Sequence, residues 1–286
     1  MPLPPIQVPP SIVPGQQAVG STFQNAGYGQ VDNRFYSRGP LACVLIRDNN
    51  GAGTNISPYV QGGSGPVFNW TPITADNQLR TDLFADVQLG GNWFMNTAPN
   101  EGFWRIGAVE EKNGIERKSS VKHDDQMILQ SLFPFDTDMT GKGKTVSFGG
   151  IEAFKPTMLR LKMNLPLATA AGVSIVEDVG QPNYSLSQPV TALDVNYQIL
   201  LVFARPRPGG YIYSVEGYPL VKQTDIGAEK RSKTDADAST FTFTVLPDPF
   251  HTNIDPTNPT SPNVVPAFWT QWIGGNAWSA MYEQGS

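Results

Sequence analysis

The hydrophobic pattern along the chain is short-ranged and strand-like. Residues 195–204 (VNYQILLVFA) are apolar almost throughout, which predicts a central strand covered on both faces. Residues 240–246 (TFTFTVL) alternate strictly up to the last position. That puts Phe241, Phe243 and Val245 on one face and Thr240, Thr242 and Thr244 on the other. Pro247-Asp248-Pro249 ends this strand. Residues 41–47 (LACVLIR) read as a strand and 48–53 (DNNGAG) as a turn cluster. Residues 103–110 read as a strand. Asn113-Gly114 then suits a tight hairpin turn, and 115–123 form the partner with Ile115, Arg117, Ser119 and Val121 on one face.

Residues 124–132 (DDQMILQSL) break the alternation, which predicts a short helical turn or a bend. An extended piece at 134–140, a turn at 141–144 (GKGK) and a strand at 145–153 follow. One helix is expected at 155–164 (KPTMLRLKMN). Pro156 near its first position loses no needed hydrogen bond, and Met158, Leu159, Leu161 and Leu165 form its apolar stripe. Residues 168–190 read as a loop with one strand at 173–176. Residues 205–210 (RPRPGG) read as a turn, and 211–215 and 218–222 as strands. Residues 54–100 are polar and Gly-rich, anchored by Tyr59, Val60, Phe68 and Trp70, with moderate alternation over 83–89 ahead of Gly90-Gly91.

Composition sharpens this picture. Gly is 28 and Pro 25 of 286 residues, too many for a helical bundle, and only 16% of residues are charged. Apolar residues make up 40%, enough for a sizeable core, so a β-dominated fold with long loops is expected. Residues 1–40 hold Pro2, Pro4, Pro5, Pro9, Pro10 and Pro14 together with Ile6, Val8, Ile12 and Val13. They read as an extended arm that orders on a neighbour in an assembly, or as a disordered tail. Residues 253–266 read as a Pro/Asn/Thr linker. Beyond it Phe268, Trp269, Trp272, Trp278 and Tyr282 crowd together, and so apolar a segment is expected to dock on its own body or on a partner.

The chemistry of an enzyme is missing from the sequence. Cys43 is the single cysteine, which rules out an internal disulfide, and His123 and His251 do not stand at zinc-site spacing. Glu110-Glu111 and Asp124-Asp125 are adjacent pairs, whose members point to opposite faces of a strand. Asp136 and Asp138 would share a face, a spacing that could help hold a hard cation, but two carboxylates alone do not make a site. Gly90-Gly91 and Gly149-Gly150 lie outside any phosphate-loop pattern, and no G-x-S-x-G elbow occurs. We expect no catalytic, cofactor-binding or metal-binding residues. The formal charge of −5 argues against ordinary nucleic-acid binding. The first residues lack the basic and apolar regions of a signal peptide, and no apolar run approaches a membrane span, which predicts a soluble chain made in a reducing cytoplasm.

Taken in order, residues 114–164 resemble the core of phage major tail tube proteins, in particular those of long-tailed phages of actinobacteria. The most specific pieces are SVKHDDQMILQS, FPFDTD, and TVSF followed by the Lys-Pro helix start. VNYQILLVFA, YIYSVEGYPLVKQTDIG and STFTFTVLPD continue the likeness as a central strand, an aromatic strand with its hairpin, and a closing strand. About half the chain takes part. The resemblance implies a sandwich or barrel-like β core with a flanking α-helix and extended N- and C-terminal arms. In those terms 1–40 is an arm, 41–249 the tube core with a long insertion around 48–100, and 250–286 a C-terminal extension. It further implies a structural virion protein of the tail, made in the host cytoplasm. Its subunits would form rings, usually hexameric, stacked around a tape-measure protein and bounded by tail terminator and distal tail proteins. DNA would pass through without specific binding, and no membrane would be involved. The charge balance, with no Lys or Arg after Lys233, predicts a neutral or negative lumen. The turn at 205–210 and the charged run 224–238, with Lys230 and Arg231, are candidates for contacts between rings. Other readings are a different virion structural protein (capsid decoration, baseplate or tail hub), a carbohydrate-binding β-sandwich module using the clustered aromatics, and last a hydrolase.

Overall fold

The computed structural model describes residues 39–89, 92–111, 114–126, 136–176, 185–191, 193–229, 237–258 and 262–283. Residues 1–38 of the arm expected at 1–40 and residues 127–132 of the bend expected at 124–132 therefore lie outside the described residues, as do Lys230 and Arg231.

The chain begins with β1 (Leu41–Asp48) and two small hairpins, β2 (Tyr59–Gly62) with β3 (Gly65–Phe68) and β4 (Asp86–Leu89) with β5 (Asn92–Met95). The two-residue β6 (Trp104–Arg105), the long β7 (Ile115–Gln126) and β8 (Asp136–Gly150), and the helix α1 (Pro156–Lys162) follow. The second half supplies β9 (Tyr197–Arg207), β10 (Gly210–Ile226) and β11 (Ser239–Val245). The chain closes with β12 (Thr252–Ile254), β13 (Val264–Pro266), β14 (Thr270–Gly274) and α2 (Asn276–Glu283). The fold is mainly β, in keeping with a sandwich- or barrel-like core, with α1 flanking it.

One antiparallel sheet organises the molecule, in the order β6-β1-β9-β10-β11-β8-β7, with β14 also paired to β10. Its centre follows from the apolar pattern. Val44, Leu45 and Ile46 stand opposite Leu201, Leu200 and Ile199, so each cross-strand pair shares a face. Val44, Ile46, Ile199 and Leu201 join Met158 and Leu161 of α1 and the aromatics of β8 and β11 in the main core. Leu45 and Leu200 face the other way, into a second cluster with Ile56, Trp70, Leu83, Phe103 and Val215. Residues 197–201 are buried on both faces for this reason. On β11, Phe241, Phe243 and Val245 are buried as the alternation predicts. Phe243 stacks on Phe148 at 5.6 Å and meets Tyr197 edge-on at 6.0 Å.

Several expectations need correction. Residues 103–110 do not form a strand paired with 115–123. Trp104 and Arg105 instead cover β1 opposite Ile46 and Leu45, and Gly107 at φ +98° breaks the extended run. Val109 pairs with Gly150 and Ile115 with Phe148, so both sides of Asn113-Gly114 run along β8. Asn113 itself lies outside the described residues, and the Gly114 N–H donates to the Glu110 carbonyl.

The GKGK stretch does not turn either. Gly141 and Gly143 pair with Lys122 and Ser120 inside a continuous β8. Gly143 permits a close approach, since a Cβ there would lie 2.8 Å from Ser120 Oγ. Asp124 to Gln126, expected in a bend, continue β7. The strand expected at 173–176 reduces to one bridge, Ala168 to Ser174. The turn at 205–210 is tighter than expected. Strands run to Arg207 and from Gly210, leaving Pro208-Gly209 with φ +89° at Gly209, the arrangement that Pro-Gly favours. The linker expected at 253–266 contains the paired β12 and β13.

Candidate assembly surface

β7 and β8 begin in the sheet and leave it. β8 is paired to β11 from Thr145 to Gly150, whereas Asp136 to Lys144 are paired only to β7 among the described residues. The two strands thus form a two-stranded ribbon, reaching roughly 30 Å at about 3.3 Å per residue. An isolated two-stranded hairpin is marginal in water.

The ribbon's charge is segregated along its length. Arg117, Lys118, Lys122, Lys142 and Lys144 stand on the part nearer the sheet, and Asp124, Asp125, Asp136 and Asp138 on the outer part. The register puts Val121 beside Lys142 and His123 opposite Met139 on the face that continues the core side of Ile115, Phe148 and Val146. Val121 is 50% and Met139 54% exposed, two apolar side chains standing in solvent on a face that also carries Ser119, Lys144, Lys142 and His123. Thr140 is the extra residue of a bulge in this ladder. The opposite face carries Lys118, Ser120, Lys122 and Asp124. Asp124 lies directly across from Asp138, and both are exposed, a like-charge pairing that weakens the ribbon by itself.

Where the ribbon joins the body, a charged cluster anchors it. Glu216 on β10 is buried and accepts from the Tyr218 hydroxyl at 2.6 Å and from the Arg117 guanidinium. Lys144 Nζ sits 3.4 Å from the centre of the Trp269 ring, and Trp269 stacks on Tyr218 at 6.0 Å. Burial, with nearby Arg117, lowers the Lys144 pKa, while Glu216 acts in the opposite direction. Burial first, then the bond to Glu216, pushes the Tyr218 phenol up. The cluster therefore ties both ribbon strands to β10 and to the aromatic C-terminal segment.

That segment docks on its own chain. β14 pairs with β10 from Thr270 to Gly274, and Trp272 meets Trp70 edge-on at 5.3 Å. A Cβ at Gly217 would lie 2.7 Å from the Trp272 ring, so a glycine lets the indole settle on β10.

The far end of the sheet is also open. Beyond β6, the outer edge of β1 at Leu41, Ala42 and Cys43 has no strand partner among the described residues, and Leu41 is exposed. The two unpaired edges lie at opposite ends of the strand order and differ in sequence.

The residues weighed for chemistry are scattered. Exposed His123 lies on the ribbon. His251 is buried, its Nε2 2.9 Å from Thr270 Oγ1, and burial lowers its pKa to about 4. Burial raises the Cys43 thiol. Glu110 and Glu111 lie in the excursion between Val109 and Ile115. Asp136 is opposite Gln126 rather than another acid. Among the described residues no three His, Cys, Asp or Glu side chains gather as a metal site would require, and no helix is long and apolar enough to cross a membrane. Sequence reasoning missed the Arg117–Glu216 pair, whose members are 99 residues apart. It also missed the stacking of Lys144 on Trp269. The turn expected at 205–210 is described, whereas residues 230–236 of the charged run 224–238 are not. No protein-family model matches the chain, and no curated protein sequence matches it.

Proposed function

We propose that this chain is a structural subunit that assembles with copies of itself into closed rings, stacked as the tube of a phage tail. The observation that carries the reading is the β7–β8 ribbon: long, with Val121 and Met139 exposed on one face, unpaired on its outer edges among the described residues, and marginal unless something covers it. A second, chemically different open edge on β1 adds to it. A ring needs heterologous contacts, in which one patch meets another on the neighbour, and two unlike edges at opposite ends of a sheet are suited to that. The resemblance of residues 114–164 to tail tube proteins supports the specific form of the proposal: rings usually of six, a tape-measure protein within, terminator and distal tail proteins at the ends, and DNA in passage.

The aromatic cluster argues against a sugar platform. Trp70 is buried, Trp269 is covered by Lys144, and Trp272 rests on Gly217, so these rings are spent on the body itself.

Electron microscopy of the purified full chain tests the reading. Rings or tubes are expected. A variant with residues 121–142 replaced by a two-residue Asn-Gly turn, which joins the paired Ser120 and Gly143, should stay folded and monomeric. Intact protein that stays monomeric at high concentration, or a shortened variant that still polymerises, would overturn the role given to the ribbon.

A further inference from the structure

Four charges of the β7–β8 ribbon share one face and have no partner. The register places Lys118 opposite Thr145, Lys122 opposite Gly141, and Asp124 opposite Asp138, all on the face away from Ile115 and Val146. Lys118, Lys122, Asp124 and Asp138 are exposed, and none of them has an ion pair among the described residues. Thr145 and Gly141 offer the two lysines no charge across the ladder. Lys142, across from Val121, belongs to the other face. Two strand edges border this surface. No strand lies beyond β7, and β8 from Asp136 to Lys144 has none on the side away from β7 among the described residues.

From this pattern we infer that the ribbons of neighbouring copies join edge to edge, β8 of one against β7 of the next, with the incoming ribbon displaced toward the sheet by about two to six residues, roughly 7–20 Å. The inference rests on the ring-forming role proposed above and adds the register of the contact. Without displacement, Asp138 would stand between two copies of Asp124, its own cross-strand partner and the neighbour's. Like charges side by side destabilise a ladder. An odd displacement would turn every side chain to the other face. A shift of two residues brings Asp138 beside Lys122, and a shift of six brings it beside Lys118. At four residues Asp136 takes the place beside Lys122. A shift of eight would bring Asp138 beside the exposed Glu116, which sets the inner limit. No Lys or Arg follows Lys122 on β7, so an outward shift gains nothing. An exposed ion pair adds little affinity, and the pattern acts chiefly by rejecting the in-register contact. The two edges that meet are different, so one contact repeats from copy to copy as a ring requires.

The test uses the full-length chain. One variant carries Asp136→Lys with Asp138→Lys, and a second carries Lys118→Glu with Lys122→Glu. Alone, each presents like charges on the two edges that should meet. Its assembly concentration, followed by light scattering and electron microscopy, should rise at least about 10-fold. Mixed in equal amounts, the two variants should assemble near the concentration of the unmodified chain, because every contact then joins opposite charges. A single chain with all four substitutions should do the same, which separates lost contact from damaged folding. An unmodified chain that stays monomeric would overturn the ring reading and this inference with it. If the unmodified chain forms rings and either two-residue variant assembles as readily, the inference alone falls, and the lysines serve only to guard an open edge. It falls equally if the mixture or the four-residue variant stays unassembled, or if the mixture stops at dimers.

Discussion

The molecule contains two long antiparallel hairpins of similar size and opposite circumstance. β9–β10 pairs strands of 11 and 17 residues, and β7–β8 strands of 12 and 15. The first has β1 on one side, β14 and β11 on the other, and apolar clusters on both faces. The second has a sheet neighbour only at its inner end. Backbone pairing is continuous in both, apart from bulges, so hydrogen-bond ladders do not separate them. Burial of side chains does: a residue such as Leu200 loses all contact with water, whereas Val121 keeps half of its surface exposed. A ladder makes a shape available, and apolar cover makes it stable.

The sharpest way to break the contrast is to attack the covered hairpin's neighbour. Phe243→Ala removes a fully buried ring that stacks on Phe148, and should cost about 3–5 kcal/mol in chemical denaturation. Val121→Ser on the ribbon should change the same midpoint by less than about 0.5 kcal/mol. Similar losses at both sites would mean that the ribbon is part of the cooperative core.

Acid titration gives the next effect, with two groups of opposite sign. Burial raises the Asp48 pKa to about 6, even though its Oδ2 accepts the Leu167 and Ala168 N–H groups at 2.8 Å. A carboxyl raised in the folded state binds more protons there than when unfolded. Its contribution therefore falls as pH climbs from about 4 to 6, by ~3 kcal/mol in all. His251, lowered to about 4, behaves in reverse: the unfolded chain holds the extra proton, so stability rises with pH between about 4 and 6.5 by a similar ~3 kcal/mol. The two slopes nearly cancel. In Asp48→Asn the histidine slope should emerge, and stability should drop steeply from pH 6.5 to 4. A flat profile in that variant would remove His251 from the account.

A smaller effect is expected at the junction. Glu216→Gln keeps the shape but leaves Arg117 without its charge partner, and should cost about 1–3 kcal/mol. Hydrogen exchange would show where the loss falls. Ribbon amides should speed up while those of β9 keep their protection, and uniform acceleration would show that Glu216 serves the whole body instead.

Legibility in the sequence follows the same divide. β9 and β11 could be read because their periodicity records burial directly: VNYQILLVFA needs two covered faces, and TFTFTVL needs one. The helix start at Lys155-Pro156 was equally visible in its proline. The ribbon was read in fragments, because GKGK carries a turn's composition while its glycines serve cross-strand proximity to Ser120. Glu216 gave no sign, since a lone acid in an alternating strand looks like a solvent position until Arg117 arrives from another strand. Asp86 and Lys155 were hidden for the same reason, being 69 residues apart. Local pattern encodes cover, whereas partners that meet only in the fold leave no local trace.

The pairing of β1 with β9 has a consequence in time. Arg47 and Gln198, bonded to each other in these two strands, are 151 residues apart. At roughly 5–20 residues per second of synthesis, β1 waits on the order of 8–30 s for its partner to be made. Throughout that interval Val44, Leu45 and Ile46 are apolar surface without a sheet to join. The risk of misassociation should therefore rise with the number of ribosomes translating the chain at once.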